Sequence, residues 1–229
     1  MKNIKYLLLS FMAVLCGSNV NAQSLKIYKV DGSSITVQYS ELDSIVAFDK
    51  DKSKYEFVDL GLSVKWAACN VGAEKPEESG DYFSWGEITT KKSYLKENSL
   101  TYEKVMQDIA GNPEYDAAAA KWGGAARMPT KVELEELLNN CTWKVETQNG
   151  VKGMLVTGTN GNSIFLPAAG TIYEKTVGYP GEFGSYWSST PYEEMNVGAY
   201  SVDFYTTNME YSVWWGYRIL GHTIRPVSD

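Results

Sequence analysis

From Tyr55 onward the chain keeps returning to one local pattern, a short run of aromatic and β-branched residues closed by glycine and followed by a polar loop. Runs this short suit strands, because a helix needs a longer stretch of apolar residues at 3.6-residue spacing. Phe57, Val58 and Leu60 open a strand that Val64-Lys65-Trp66-Ala67 continues, and Gly80-Asp81-Tyr82-Phe83-Ser84-Trp85-Gly86 reads as a second glycine-bounded aromatic segment. Two stretches read as helical. Tyr102–Ile109 predicts a short helix stopped by Gly111-Asn112-Pro113, and a clearer one follows Pro129. There Thr130 and Glu133 have capping-box spacing, and Leu134, Leu137 and Leu138 form an apolar stripe. After Cys141, strand periodicity resumes through Trp143, Val145, Met154, Val156, Ile164 and Leu166. In Tyr200–Tyr205 the even positions are expected to face the core, with Ser201, Asp203 and Tyr205 facing out. Ile224 and Val227 are read as closing the last strand. With 16 Tyr, 7 Trp, 7 Phe and 20 Gly, the expected class is α+β, loop-rich and stabilised by buried rings.

The N-terminus predicts export. Lys2 and Lys5 precede an apolar run from Tyr6 to Val14, and Val20-Asn21-Ala22 offers small residues at cleavage spacing, so residues 1–22 read as a signal peptide and the mature chain starts near Gln23. The run is too short for a stable anchor, which needs roughly 20 residues. The alternative, lipidation at Cys16, meets bulky Leu15 where a small residue is normally required. Residues 23–50 form a small unit. Leu25, Ile27 and Tyr28 lead into an Asp31-Gly32 turn, Ile35, Val37 and Tyr39 alternate after it, and Ile45-Val46-Ala47-Phe48 is a third short strand. Charged Asp49-Lys50-Asp51-Lys52 links it to residues 55–229. Without the signal, 19 basic residues stand against 28 acidic ones, and no basic run remains. Such a chain repels phosphate backbones and anionic membrane surfaces, so neither nucleic acid nor an inserted membrane segment is an expected partner.

Seven motifs in order carry a family resemblance: Val58-Asp59-Leu60-Gly61-Leu62-Ser63-Val64-Lys65-Trp66-Ala67, Cys69-Asn70-Val71-Gly72-Ala73, Gly80-Asp81-Tyr82-Phe83 with Trp85-Gly86-Glu87, Trp122-Gly123-Gly124, Arg127-Met128-Pro129-Thr130, Tyr186-Trp187-Ser188-Ser189 and Ile224-Arg225-Pro226-Val227. Together they resemble the Fibrobacter succinogenes major paralogous domain, across residues 55–229. The N-terminal unit resembles the β unit that often precedes such domains in secreted Bacteroidota proteins. The resemblance implies a C-type-lectin-like fold, with two small sheets, one or two helices, paired terminal strands and a long loop region. That fold class includes formylglycine-generating enzymes and the diversified receptor-binding proteins of phage retroelements.

The residues argue for the binding branch. A formylglycine-type copper site needs two cysteines close together in the C-terminal half, and no Cys follows Cys141. The single histidine, His222, is in strand phase with Ile224 and is expected to pack in the core. Glu77-Glu78, Glu135-Glu136 and Glu193-Glu194 read as solvated acids. The calcium and sugar triplets of lectins are missing from the sequence, since Asn112-Pro113-Glu114 has the residue types in the wrong order and place. No metal, cofactor or catalytic residue is therefore expected. Cys69 and Cys141 have two readings: a disulfide closing a loop of about 70 residues, or two buried thiols. Arg127 and Arg225 are expected to be structural, forking onto carbonyls or an acid such as Asp81, and Trp66, Trp85, Trp122 and Trp187 are expected in the core. The remaining signal lies between the Trp187 and Arg225 motifs. Tyr192, Tyr205, Tyr211, Trp214, Trp215, Tyr217 and Arg218 are the candidate ligand-binding residues, for a protein or glycan met at the cell exterior. Trp214 and Trp215 are adjacent, so on a strand they point to opposite faces and one of them must look towards solvent.

Overall fold

The computed structural model describes residues 24–28, 34–38 and 55–229. The chain divides into two compact units, Met1–Phe48 and Asp49–Asp229. In the first, β1 (Ser24–Tyr28) pairs antiparallel with β2 (Ser34–Gln38), with Ser24 opposite Gln38 and Tyr28 opposite Ser34. The signal segment, Cys16, the Asp31-Gly32 turn, the third short strand and the charged linker lie outside the described residues.

The second unit is sheet-rich α+β. Its first strand pair, β3 (Phe57–Val58) and β4 (Lys65–Ala67), is joined on the far side of β4 by β13 (Val227–Ser228), so the two ends of the unit share one sheet. Between them lie α1 (Ala117–Trp122), α2 (Lys131–Asn140), the antiparallel sheet β5 (Thr142–Gln148), β6 (Val151–Thr157) and β7 (Ser163–Pro167), and the hairpin β8 (Thr171–Tyr173) and β9 (Thr176–Gly178). A second antiparallel sheet follows, with β10 (Phe183–Pro191), β11 (Gly198–Tyr205) and β12 (Tyr211–Tyr217) in that spatial order.

Helix α2 begins as its sequence dictates: Thr130 Oγ1 accepts from the Glu133 N–H at 3.3 Å, and the Glu133 carboxylate accepts from the Thr130 N–H at 2.7 Å. Its Leu134 and Leu137 enter the main core with Trp66, Trp143, Met154, Val156, Ile164, Leu166, Tyr186, Val202 and Phe204. Alternation after Cys141 thus produces β5, β6 and β7 as expected. A second core gathers Val71, Phe83, Trp85, Met128, Trp187 and Ile224.

Three sequence expectations are corrected. Tyr102–Ile109 is not a helix but turn and extended chain. The Thr101 and Lys104 carbonyls, which helical bonding would occupy, instead accept from the Arg218 guanidinium at 3.2 and 2.8 Å, and Glu103 sits at φ 60°. Only Val227–Ser228 of the closing segment is strand, while Gly80–Gly86 is irregular chain tied by the Phe83–His222 bridge and by backbone bonds from Asp81 to Val71 and from Trp85 to Arg218. Ser201 is buried and Asp203 partly so, although alternation predicts that both face solvent. Of the two readings of Cys69 and Cys141, the structure has the free thiols. Cys69 is buried and donates to the Ala73 carbonyl at 3.5 Å, and burial raises its pKa. Cys141, the C-cap of α2, is half-buried against the main core, and burial pushes its thiol up to about 11.

The two motif arginines hold the fold, Arg225 on carbonyls and Arg127 on an acid, as expected, although that acid is not Asp81. Arg225, 1% exposed, gives Nε to Asn70 Oδ1 at 2.8 Å and its remaining nitrogens to the carbonyls of Ala67, Ala68 and Phe165 at 3.0, 2.7 and 2.8 Å. A buried cation with its donors filled ties β4 and β7 to the closing segment. Arg127 forks onto Glu133 at 2.9 and 2.7 Å and reaches Asp229 at 2.8 Å, which links the α2 capping box to the C-terminus. Asp81 serves neither arginine; it lies 3.9 Å from Lys121. Trp66, Trp85 and Trp187 are buried, whereas Trp122 is only partly so, stacked face to face on Tyr55 at 3.6 Å.

Candidate functional site

Residues opposite each other in an antiparallel pair share a face, and pairing between β11 and β12 runs unbroken from Phe204–Tyr211 to Gly198–Tyr217. Trp187 stands opposite Ser201, and Ser201 opposite Trp214, so these three form one row across the sheet. Tyr200 with Trp215, and Val202 with Val213, belong to the other face, against which α2 packs. Trp214 and Trp215 therefore point to opposite sides.

Their surroundings differ accordingly. Trp215 is half-buried, stacked in parallel on Tyr192 at 4.9 Å and meeting Tyr217 edge-on at 5.5 Å. Tyr192 in turn meets Tyr200 edge-on at 5.5 Å, with Lys131 Nζ 4.1 Å above the Tyr200 ring. The hydroxyls of Tyr192 and Tyr200 donate to Glu194 and Glu193 at 2.8 and 2.9 Å. Trp214 is 62% exposed and has no ring partner among the described residues. Tyr205 is exposed and lies 4.8 Å from Phe183, while Tyr211 is exposed on one side and stacked on Trp143 at 5.2 Å on the other. Where β11 turns into β12, Asp203, Tyr205, Met209, Glu210, Tyr211 and Ser212 line an open recess of about 450 Å³.

Arg218 does not join this surface, and that expectation is corrected. Only 1% exposed, it donates from Nε to the Gly198 carbonyl at 2.8 Å and lies 4.4 Å over the Trp85 ring. Burial lowers its pKa to about 10. Its guanidinium supplies a donor to the Lys104 carbonyl and a second donor to the Thr101 and Gly198 carbonyls, which also accept from the Lys104 and Tyr192 N–H groups.

Behind Trp214, the same sheet face carries a sealed polar group. Asp203 Oδ1 accepts from Ser185 Oγ at 2.6 Å and from Ser201 Oγ at 2.9 Å, and Ser185 Oγ lies 2.7 Å from His222 Nδ1. Burial raises the Asp203 pKa and lowers that of His222 to about 3. With His222 neutral and the one Ser185 proton given to Asp203, Nδ1 of His222 must carry the hydrogen that Ser185 receives. His222 stacks on Trp187 at 4.1 Å, and a Cβ on Gly216 would stand 3.2 Å from His222 Cε1 and 3.4 Å from Trp187. The glycine thus lets the closing segment lie on the sheet, and this cover is what buries Ser201. Serine, histidine and aspartate are all present, but the serine sits between the other two and has no exposed surface. The geometry of a nucleophile activated by a histidine is therefore not met.

The paired acids stay near solvent. Glu136 accepts from Ser63, Glu77 from Asn149, and Glu193 and Glu194 hold tyrosines. No group of three His, Cys, Asp or Glu side chains suited to a metal occurs among the described residues. One exposed aromatic pair escaped the sequence reading: Tyr173 and Tyr179, beside a recess of about 310 Å³ on the β8–β9 hairpin. The Gly178-Tyr179-Pro180-Gly181 turn was its only signal.

Fold and site together define a sheet-rich α+β domain with one aromatic strand at a sheet edge. In comparisons with known proteins, no family model, curated protein or solved structure matches the chain.

Proposed function

We propose that this is an exported, non-enzymatic binding module of the Fibrobacter succinogenes major paralogous type, with a C-type-lectin-like fold, that recognises a protein or glycan at the cell exterior. The observation that carries the reading is Trp214, 62% exposed on an edge strand whose neighbouring rings are packed in place. A large ring left in water on a rigid strand suits recognition, since Trp and Tyr supply contact area at little entropic cost. The contact residues are Trp214 and Tyr205 on one face and, on the strand's other face, Tyr211 and Tyr217, where Tyr192 and Trp215 form the stack that holds that face. Binding is favoured over catalysis because Ser185 and His222 are both buried. No cofactor enters this reading.

Magnitude limits one such site. An aromatic anchor contributes about 3 kcal/mol on burial, against an association cost of about 4–15 kcal/mol, so a single copy binds weakly and retention needs several sites acting together. The test is a screen of the mature protein against glycans and surface proteins, repeated with Trp214→Ala. Retention is expected to fall at least tenfold at an unchanged melting temperature. A ligand held equally well by the variant overturns the reading. A structural, self-associating role is the second reading, and the chemistry of the β12 edge favours it as a companion to binding.

A further inference from the structure

The backbone pattern of β12 shows which of its groups are left over. Tyr205 N–H donates to the Glu210 carbonyl at 2.8 Å and Arg218 N–H to the Val197 carbonyl at 2.9 Å. Both pairs have the register of the β11–β12 ladder, in which hydrogen-bonded pairs alternate, so Ser212, Trp214 and Gly216 turn their N–H and C=O groups towards β11. Tyr211, Val213 and Trp215 point theirs the other way. No backbone bond to those outward groups exists among the described residues.

Natural proteins blunt such edges with charge, proline, bulges or a cover. The other edges of these two sheets follow that rule. β10 ends in Pro191 after a register shift and is bridged by Gly170 and Thr223, while β5 carries Lys144 and Glu146. β12, Tyr-Ser-Val-Trp-Trp-Gly-Tyr, has no charge, no proline and no bulge over seven residues.

We propose that β12 pairs antiparallel with β12 of a second copy of this chain, about a two-fold axis through Trp214. The strand is self-complementary in that register. Val213 meets Trp215 of the other copy in a hydrogen-bonded pair that uses the outward N–H and C=O groups of both, and Tyr211 meets Tyr217, whose carbonyl already accepts from the Leu220 N–H at 2.9 Å. Trp214 meets its own counterpart at a non-hydrogen-bonded position, where side chains are closest. No charge faces charge along the strand. A shift of one residue would set outward-pointing groups against inward-pointing ones, and among the registers that keep the match an axis on Trp214 pairs the whole strand Tyr211–Tyr217.

Pairing at an edge leaves the faces of the sheet open. The two exposed Trp214 rings become neighbours, with Tyr205 beyond each, in one strip on a six-stranded sheet. This rests on the binding reading only for its use: a doubled platform meets the weakness of a single site through multivalency. Dimerisation itself is measured without ligand.

The test is sedimentation of the full chain between about 1 and 100 μM, a range in which weak edge-paired dimers dissociate. A dimer is expected, and Val213→Pro is expected to make it monomeric, because proline there removes only an outward N–H. Cross-linking keeps the proposal testable should that variant not fold. Trp214→Cys is expected to form an intermolecular disulfide under mild oxidation, since non-hydrogen-bonded Cα atoms lie about 4.5 Å apart, while Ser212→Cys, displaced from its own counterpart along the strand, is expected not to. A monomer at every concentration overturns the proposal, as does equal cross-linking at both positions. So does a monomer whose Tyr211, Val213 and Trp215 amides resist hydrogen exchange, which would assign the edge to another segment of the chain. If Trp214→Ala loses ligand while the chain is monomeric, the binding reading stands and this one fails.

Discussion

Trp187 and Trp214 occupy the two ends of one row on one face of one sheet, with Ser201 between them, and they end in opposite environments. Trp187 is fully buried, donates from its indole N–H to the Phe83 carbonyl at 2.9 Å, and carries His222 against its ring. Trp214, two strands away, is 62% exposed. Residue type, sheet and face are shared, so none of them explains the difference. What differs is the closing segment around His222 and Thr223, which bonds to β10 through the Thr223 carbonyl and lies on that half of the sheet alone. A boundary between core and surface can thus run across a single row, and Gly216 marks the place where the cover comes closest to β12.

The comparison breaks most visibly at its buried end. Trp187→Ala is expected to lower unfolding stability by about 3–5 kcal/mol, the cost of a large cavity in a packed core, as read from urea denaturation. Arg218→Met is expected to cost about 2–4 kcal/mol by removing the charge-assisted bonds to the Gly198, Thr101 and Lys104 carbonyls, with no effect on ligand contact beyond that lost stability; a selective loss of binding would return Arg218 to the surface. The polar group between the two tryptophans sets a pH signature. The folded-state pKa of His222 is lowered to about 3, below its unfolded value, so its contribution is complete above about pH 6.5 and is lost as pH falls towards 3, at up to about 1.4 kcal/mol per unit. Asp203, whose pKa is raised, acts in the opposite sense, since protonating it on acidification favours the folded state. His222→Gln is expected to flatten the acid limb of the stability profile relative to the parent chain, measured by thermal melts from pH 7 to 4. The smallest effect sits at the exposed end: Trp214→Ala is expected to change stability by less than about 0.5 kcal/mol while removing ligand retention, and a large destabilisation would mean that the ring is covered in solution.

Much of the frame was legible because it rests on local chemistry. Thr130 and Glu133 announce α2 through a capping box that closes within four residues, and the spacing of Trp143, Val145, Met154 and Val156 declares β5 and β6, since side-chain direction along a strand follows from period two. Adjacency alone also fixed that Trp214 and Trp215 diverge, and the strand phase of His222 with Ile224 foretold its packing. Tyr102–Ile109 failed for a non-local reason, because Arg218, more than a hundred residues away, takes the carbonyls a helix would use. The burial of Ser201 and Asp203 failed likewise, through the cover laid on them by the closing segment.

The sequence by itself determined the fold class, the strands β5, β6 and β7, helix α2, and the aromatic content of β12, since propensity, capping and alternation act between near neighbours. Only the tertiary structure decided which indole is sealed and which meets water, that Arg218 turns inward, that the two thiols stay apart, and that β12 is a bare edge. Each of those depends on segments distant in the chain arriving beside one another, and no short-range pattern encodes that arrival.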